Sequence, residues 1–204
     1  MALNPADFDY ISKIVREQCA IVLEKGKEYL VDSRLMPLVH QEKLGSIEKL
    51  VIQIKSEPRS SLKDAVIEAM TTNETSFFRD IHPFETLKKE ILPELLAKRK
   101  DKKELNIWCG ASSSGQEPYS LVMLLKNDFP QLNSWKINFS ASDISNQMLN
   151  RCKSGIYSQL EINRGLPALL MVKYFERIGT EWQVKEDLRK MIQFRIINLS
   201  ESWP

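Results

Sequence analysis

Two carboxylates carry the chemistry this sequence offers. Glu117 closes the stretch Ile107-Trp-Cys-Gly-Ala-Ser-Ser-Ser-Gly-Gln-Glu117, and Asp143 follows the run Trp135 to Ser142. Each comes after a segment that reads as a strand and before a helical pattern, Leu121, Val122, Leu124 and Leu125 in one case and Asn146 to Lys153 in the other. A strand, a loop of small residues and a helix start form the unit over which nucleotide-like ligands bind. Gly115 and its neighbours Ala111, Ser112, Ser113 and Ser114 let backbone approach such a ligand closely. Pro118 suits the first helical turn, where its missing N–H costs nothing.

The loop also tells by what it lacks. Gly110 and Gly115 have the spacing of a Walker-type phosphate loop, but Gln116 and Glu117 stand where the lysine and hydroxyl belong. A dinucleotide loop needs a third glycine. A carboxylate at a helix start repels a diphosphate and attracts a cationic ligand such as S-adenosylmethionine, with its ammonium and sulfonium. Equally, Glu117 can complement the dipole of its own helix. Asp143 sits where doubly wound sheets place an acid on ribose hydroxyls, somewhat beyond the ~20-residue gap of dinucleotide sites. Its other reading is a turn or cap residue. Ser145 can cap the next helix by itself, which frees Asp143 for a ligand.

Five ordered blocks extend the pattern: Thr72-Asn-Glu-Thr-Ser-Phe-Phe-Arg-Asp80, Ile107 to Ser120, Ser142-Asp-Ile-Ser145, Glu161-Ile-Asn-Arg-Gly-Leu-Pro167 and Ile197-Asn-Leu199. Together they resemble the chemotaxis receptor glutamate O-methyltransferases, the CheR-type enzymes, over essentially the whole chain. The resemblance implies an α/β fold. A small N-terminal all-helical domain precedes a partial Rossmann-like S-adenosylmethionine-dependent methyltransferase domain with a small antiparallel β insertion. It implies methyl transfer to glutamate side chains of chemoreceptors, leaving S-adenosylhomocysteine. It places cofactor contacts at Asn73, Thr75, Arg79, Gly115, Glu117 and Asp143, with Asn198 and Leu199 flanking the adenine. Arg79 is the candidate catalytic residue, its guanidinium fork suited to holding a carboxylate near the methyl. The acceptor carboxylate is already ionised at neutral pH, so no strong base is required. On residue type alone, Phe77 and Phe78 read as core anchors.

Other classes recede. Net charge is +2, too small to argue for nucleic acid or lipid. Cys19, Cys109 and Cys152 are odd in number and lack metal spacing, so reduced thiols, no metal and a cytoplasmic setting are expected. No apolar run approaches the ~18 residues of a membrane span, and the amino terminus has no leader pattern. His40 and His82 read as structural or surface residues.

The positioning elements begin with helices. Pro5 opens one carrying Phe8, Ile11, Ile14 and Val15 on a face; Ser46 caps another with Ile47, Leu50, Val51 and Ile54; Ser61 starts a third. Between them, Lys27 to Gln41 should kink or shorten at Pro37. The resemblance makes this region, 1–70, the receptor-facing domain, with Arg34, Lys43 and Lys49 as candidate contacts to cytoplasmic receptor helices. A solvated face is their other reading. Residues 71–204 form the cofactor domain, with Pro58 to Ser61 as the junction. His82 to Lys98 reads as one helix. Trp182 to Val184 and part of Leu188 to Ile197 read as the antiparallel insertion, about 180–193, which in the family docks a receptor tail by strand addition.

The resemblance further implies strands beyond Pro204. A shortened chain is therefore expected, with three principal strands in the order 3-2-1, an open edge on the first and an uncovered apolar face. Three functions are ranked: the methyltransferase; a non-catalytic module binding S-adenosylmethionine or receptor; and a nicotinamide-dependent oxidoreductase.

Overall fold

Local chemistry sets the amino-terminal helices. The computed structural model describes residues 3–57 and 60–203. The Asn4 side chain accepts the Ala6 N–H and Pro5 takes the first helical position, opening α1 (Pro5–Cys19). α2 (Glu28–Gln41) runs through Pro37 instead of shortening there. An interior proline costs about 3 kcal/mol. Val31 and Leu35 before it, and Leu38 and Val39 after it, are all buried, each contributing roughly 1.5–3 kcal/mol. Burial on both sides outweighs the lost bond. Ser46 Oγ accepts the Lys49 N–H at 3.2 Å and opens α3 (Ile47–Ser56); α4 spans Ser61–Met70. Their buried faces share one aliphatic core. Arg34 is not free on the surface: it donates to the Met70 and Thr71 carbonyls and to Thr72 Oγ1, closing the end of α4. Lys43 and Lys49 are exposed.

The chain divides into two compact units, Met1–Thr72 with Asn198–Pro204, and Asn73–Ile197. Pro58, the expected start of the junction, lies outside the described residues. The last residues group with the helical unit, where the sequence assigns them to the second domain.

The second unit opens with α5 (Ile81–Thr86), a π-helical turn (Leu87–Ile91) and α6 (Leu92–Lys98). The single expected helix is thus widened ahead of Pro93, whose ring would clash with the carbonyl four residues back. Then follow β1 (Glu104–Cys109), α7 (Gln116–Asp128), β2 (Lys136–Asp143), α8 (Asn146–Ser154), β3 (Ile156–Tyr157), α9 (Gln159–Asn163) and α10 (Ala168–Tyr174). The unit ends with β4 (Phe175–Ile178), β5 (Glu181–Val184), α11 (Glu186–Arg189) and β6 (Ile192–Ile196).

β1, β2 and β6 form a parallel sheet in that spatial order, with Cys109 opposite Ala141 and Asp143 opposite Ile196. This is the expected order of principal strands, with β1 at an edge. Its open face is not apolar as expected. Period-two alternation puts Asn106, Asn138, Ser140, Gln193 and Arg195 around a shallow hollow, with Trp108 as the large apolar member. Asn138 donates to Asn106 across the strands at 2.8 Å.

The antiparallel insertion exists but is shifted toward the amino terminus. Trp182 to Val184 lie in its central strand β5, as expected, but their partners are β3 and β4, so it spans 156–184 and does not extend into Leu188 to Ile197. Gly179, at φ 60°, begins the two-residue turn joining β4 to β5. Leu188 belongs to α11, and Ile192 to Ile196 satisfy their alternation against β2. Among the described residues no helix is long and apolar enough to cross a membrane.

Candidate functional site

Parallel pairing brings the two loops to one end of the sheet. After Cys109 the chain enters a tight turn in which Ala111, Ser113 and Gly115 all have positive φ. Gly115 sits at φ 99°, and a Cβ there would come 2.3 Å from Cys152 Sγ and 2.9 Å from the Tyr157 hydroxyl. From its residue type, the glycine serves the approach of a ligand. In the structure the close neighbours are the protein's own side chains. Tyr157 donates to the Ser114 carbonyl at 2.7 Å, and Tyr119 to the Cys152 carbonyl at 2.7 Å.

Three of the loop's amides are already used. Ser112 N–H donates to the Ser142 carbonyl at 2.9 Å and Gly115 N–H to the Ser112 carbonyl at 3.0 Å. Ser113 N–H donates to Asp143 Oδ2 at 2.7 Å. A turn with alternating handedness makes a concavity of N–H groups suited to an anion, and here Asp143 is that anion. The other oxygen of Asp143 accepts the Ser145 N–H at 2.9 Å, while Ser145 Oγ caps α8 through the Met148 N–H. Both sequence readings of Asp143 therefore meet in one residue. It shapes the loops, and each of its oxygens keeps a further lone pair.

Glu117 is different. It lies exposed in the first turn of α7, and its Oε1 accepts the Cys109 thiol at 3.1 Å. Burial, then the adjacent Glu117 carboxylate, pushes the Cys109 thiol well above its ordinary range, with Asp143 adding to the shift. The thiol is thus protonated and near both acids.

The block 73–80 joins the same loop. Ser113 Oγ donates to the Asn73 carbonyl at 2.9 Å, and Phe78 N–H to Ser120 Oγ at 3.0 Å. Phe77 is fully buried, edge to face with Tyr157 and Phe175, while Phe78 is half-buried against Phe84. Arg79 is exposed and gives one N–H to the Glu74 carbonyl at 2.8 Å, leaving the rest of its fork available. The Glu74 carboxyl is held below its usual range by Arg164, 2.9 Å away. Gly165 packs so tightly that a Cβ would lie 2.0 Å from the Phe77 carbonyl.

Ser113 therefore ties Asn73 to Asp143, and Cys109 holds Glu117; Gly115 lies in the same loop, and Thr75 and Arg79 share the block of Asn73. Asn198 and Leu199 are placed otherwise. The Ile197 N–H donates to the Asp143 carbonyl, but the next two residues group with the helical unit. Asn198 donates to the Gln18 carbonyl, and Leu199 is exposed. The donor roles of Cys109 and Ser113 are not evident from the sequence. Their signal was a thiol and a hydroxyl in a loop read only for its small size.

The fit to a ligand follows from the donor set. A phosphate cradle needs free backbone amides, and three in this loop have protein acceptors. What stands exposed at the head of α7 is a carboxylate, which suits a cationic ligand. The class is a parallel α/β domain with an acid-headed helix in place of a phosphate loop. Residues 73–204 match the family described as CheR methyltransferase, SAM binding domain, and residues 6–71 match CheR methyltransferase, all-alpha domain. The chain is 38% identical over 208 residues to chemotaxis protein methyltransferase Cher2 of Pseudomonas putida. It is 41% identical over 208 residues to chemotaxis protein methyltransferase 1 of Pseudomonas aeruginosa. Each match covers 100% of this chain and 75% of the relative. A match to the chemotaxis protein methyltransferase of Borreliella burgdorferi is 33% identical over 194 residues, covering 93% of this chain and 68% of the relative. The chain belongs to the CheR methyltransferase family. Its cofactor is S-adenosylmethionine.

Proposed function

We infer that this protein transfers a methyl group from S-adenosylmethionine to glutamate side chains of chemoreceptors, forming the methyl esters of chemotaxis adaptation. One observation carries the reading within the molecule. The amides of Ser112, Ser113 and Gly115 are taken by protein acceptors while Glu117 stands exposed at the helix head. S-adenosylmethionine supplies a methyl activated by its sulfonium, the neutral thioether of S-adenosylhomocysteine being the leaving group. Glu117 holds positive charge of the cofactor. Asp143, already bonded to Ser113 and Ser145, offers its remaining lone pairs to hydroxyl donors. Asn73, Thr75 and Gly115 complete the proposed contacts.

Arg79 uses its available N–H groups on a carboxylate and aligns it toward the methyl. The acceptor is a nucleophile as it stands, so the protein contributes alignment and exclusion of water. Residues 1–70 face the cytoplasmic helices of the receptor, residues 71–204 hold the cofactor, and the setting is cytoplasmic. The test incubates the full chain with methyl-tritiated S-adenosylmethionine and a receptor cytoplasmic fragment. Base-labile label on glutamate is expected, and Arg79→Ala should cut turnover about 100-fold with little change in thermal midpoint. Base-stable label, or unchanged turnover in Arg79→Ala, contradicts the assignment.

A further inference from the structure

We propose that Cys109 is a positioning residue, its thiol acting as the donor that fixes Glu117 for the cationic end of the cofactor. This rests on the reading of Glu117 given above. The Cys109 side chain is 3% exposed at the carboxyl end of β1, and Sγ donates to Glu117 Oε1 at 3.1 Å. No other hydrogen bond or ion pair holds that carboxylate among the described residues. Glutamate has three side-chain torsions, and an unanchored side chain must lose that freedom when a ligand binds. Anchoring one oxygen from below removes part of the loss beforehand and leaves Oε2 for the ligand.

Three features make the thiol a dependable anchor. β1 pairs with β2 along its whole length, so Cys109 is fixed by backbone opposite Ala141. The Cys109 side chain packs in the buried aromatic cluster of Phe77, Tyr119 and Tyr157. Ionising it would set a thiolate beside Glu117 and near Asp143, so burial and both carboxylates keep the proton on sulfur. Cys109 therefore donates throughout the neutral pH range and cannot become an acceptor that repels Glu117.

The experiment measures S-adenosylmethionine and S-adenosylhomocysteine binding to the full chain by calorimetry for wild type, Cys109→Ala, Cys109→Ser, Glu117→Ala and the Cys109→Ala/Glu117→Ala double variant. Loss of the donor should weaken binding about 3- to 10-fold in Cys109→Ala. Serine, which keeps a donor, should restore binding to within about twofold of wild type. Glu117→Ala should lose at least as much as Cys109→Ala, and Cys109→Ala should add nothing further in that background. The ratio of wild-type to Cys109→Ala affinity should stay constant from about pH 6 to 9, because the thiol does not ionise there.

A purely packing role gives the opposite ranking, with alanine tolerated better than serine, and overturns the proposal. Wild-type affinity in Cys109→Ala, with Glu117→Ala impaired, overturns it while leaving the role of Glu117 intact. Wild-type affinity in Glu117→Ala defeats the reading of Glu117 and the proposal with it. Should Cys109→Ala fail to fold, Cys109→Val fills the thiol's volume without a donor and gives the same comparison with serine.

Discussion

The helical unit and the sheet unit reach their packing by different means. The first is filled mainly by Ile, Leu and Val, and its two left-handed glycines, Gly26 and Gly45, have nothing within 4 Å of where a Cβ would stand. The second is built on Phe77, Tyr119, Tyr157 and Phe175, whose rings meet mostly edge to face. Its tyrosine hydroxyls hold chain carbonyls, and its left-handed Gly115 and Gly165 are wedged against neighbours. Non-glycine residues of positive φ gather there as well, at Phe78, Asp80, Ala111 and Ser113. Strained backbone persists only where surroundings over-determine it, and it clusters at ligand sites. Aliphatic burial gives the helical unit stability. Particular fits give the sheet unit a preset loop.

Substitutions can break this contrast. Gly165→Ala should be the most damaging, because the obstructing atom is the Phe77 backbone carbonyl and φ is 89°. Clash and left-handed strain together should cost about 3–4 kcal/mol by urea unfolding. In the helical unit Leu50→Ala should cost about 2–4 kcal/mol through the cavity it leaves, with cofactor affinity unchanged. Tyr157→Phe should cost about 1–3 kcal/mol, since the buried Ser114 carbonyl loses its donor. It should also weaken cofactor binding, which Leu50→Ala should not. Gly26→Ala, matched in φ to Gly165→Ala but free of obstruction, should cost only about 1–2 kcal/mol. Equal losses at Gly26 and Gly165 would erase the contrast.

The smallest effect concerns pH. Burial raises the Glu161 carboxyl, but the Ser158 backbone and hydroxyl and the Arg151 guanidinium outweigh it and hold it below the usual range. A depressed carboxylate stabilises above its unfolded pKa and loses that contribution as pH falls through the folded value. The advantage of wild type over Glu161→Gln in urea midpoint should be full at pH 7 and shrink below about pH 4.

What could be read from sequence was local. The Pro5 start and the Ser46 cap, the buried faces of α1 and α3, and the succession β1, α7, β2, α8 follow from periodicity and cap chemistry within a few residues. What stayed hidden depends on distant partners. Pro37 looks like a breaker until the burial on both sides of it is seen. Trp182 could have paired in several ways, and its partner Arg177 on β4 is set by the Gly179 turn. Nothing in sequence ties Ser113 to Asp143 or Cys109 to Glu117, because those bonds require parallel pairing first. Arg34 has the residue type of a surface contact, and its bonds to the end of α4 depend on a helix more than thirty residues away.

Calorimetry most directly tests the claim that an acid-headed helix replaces a phosphate cradle. Wild type and Glu117→Gln are titrated with S-adenosylmethionine, S-adenosylhomocysteine and a nicotinamide dinucleotide. Binding of the first two, weakened about tenfold or more in Glu117→Gln, with no heat from the dinucleotide, is the expected result. Dinucleotide binding that strengthens when Glu117 loses its charge, or S-adenosylmethionine binding indifferent to that loss, would contradict it.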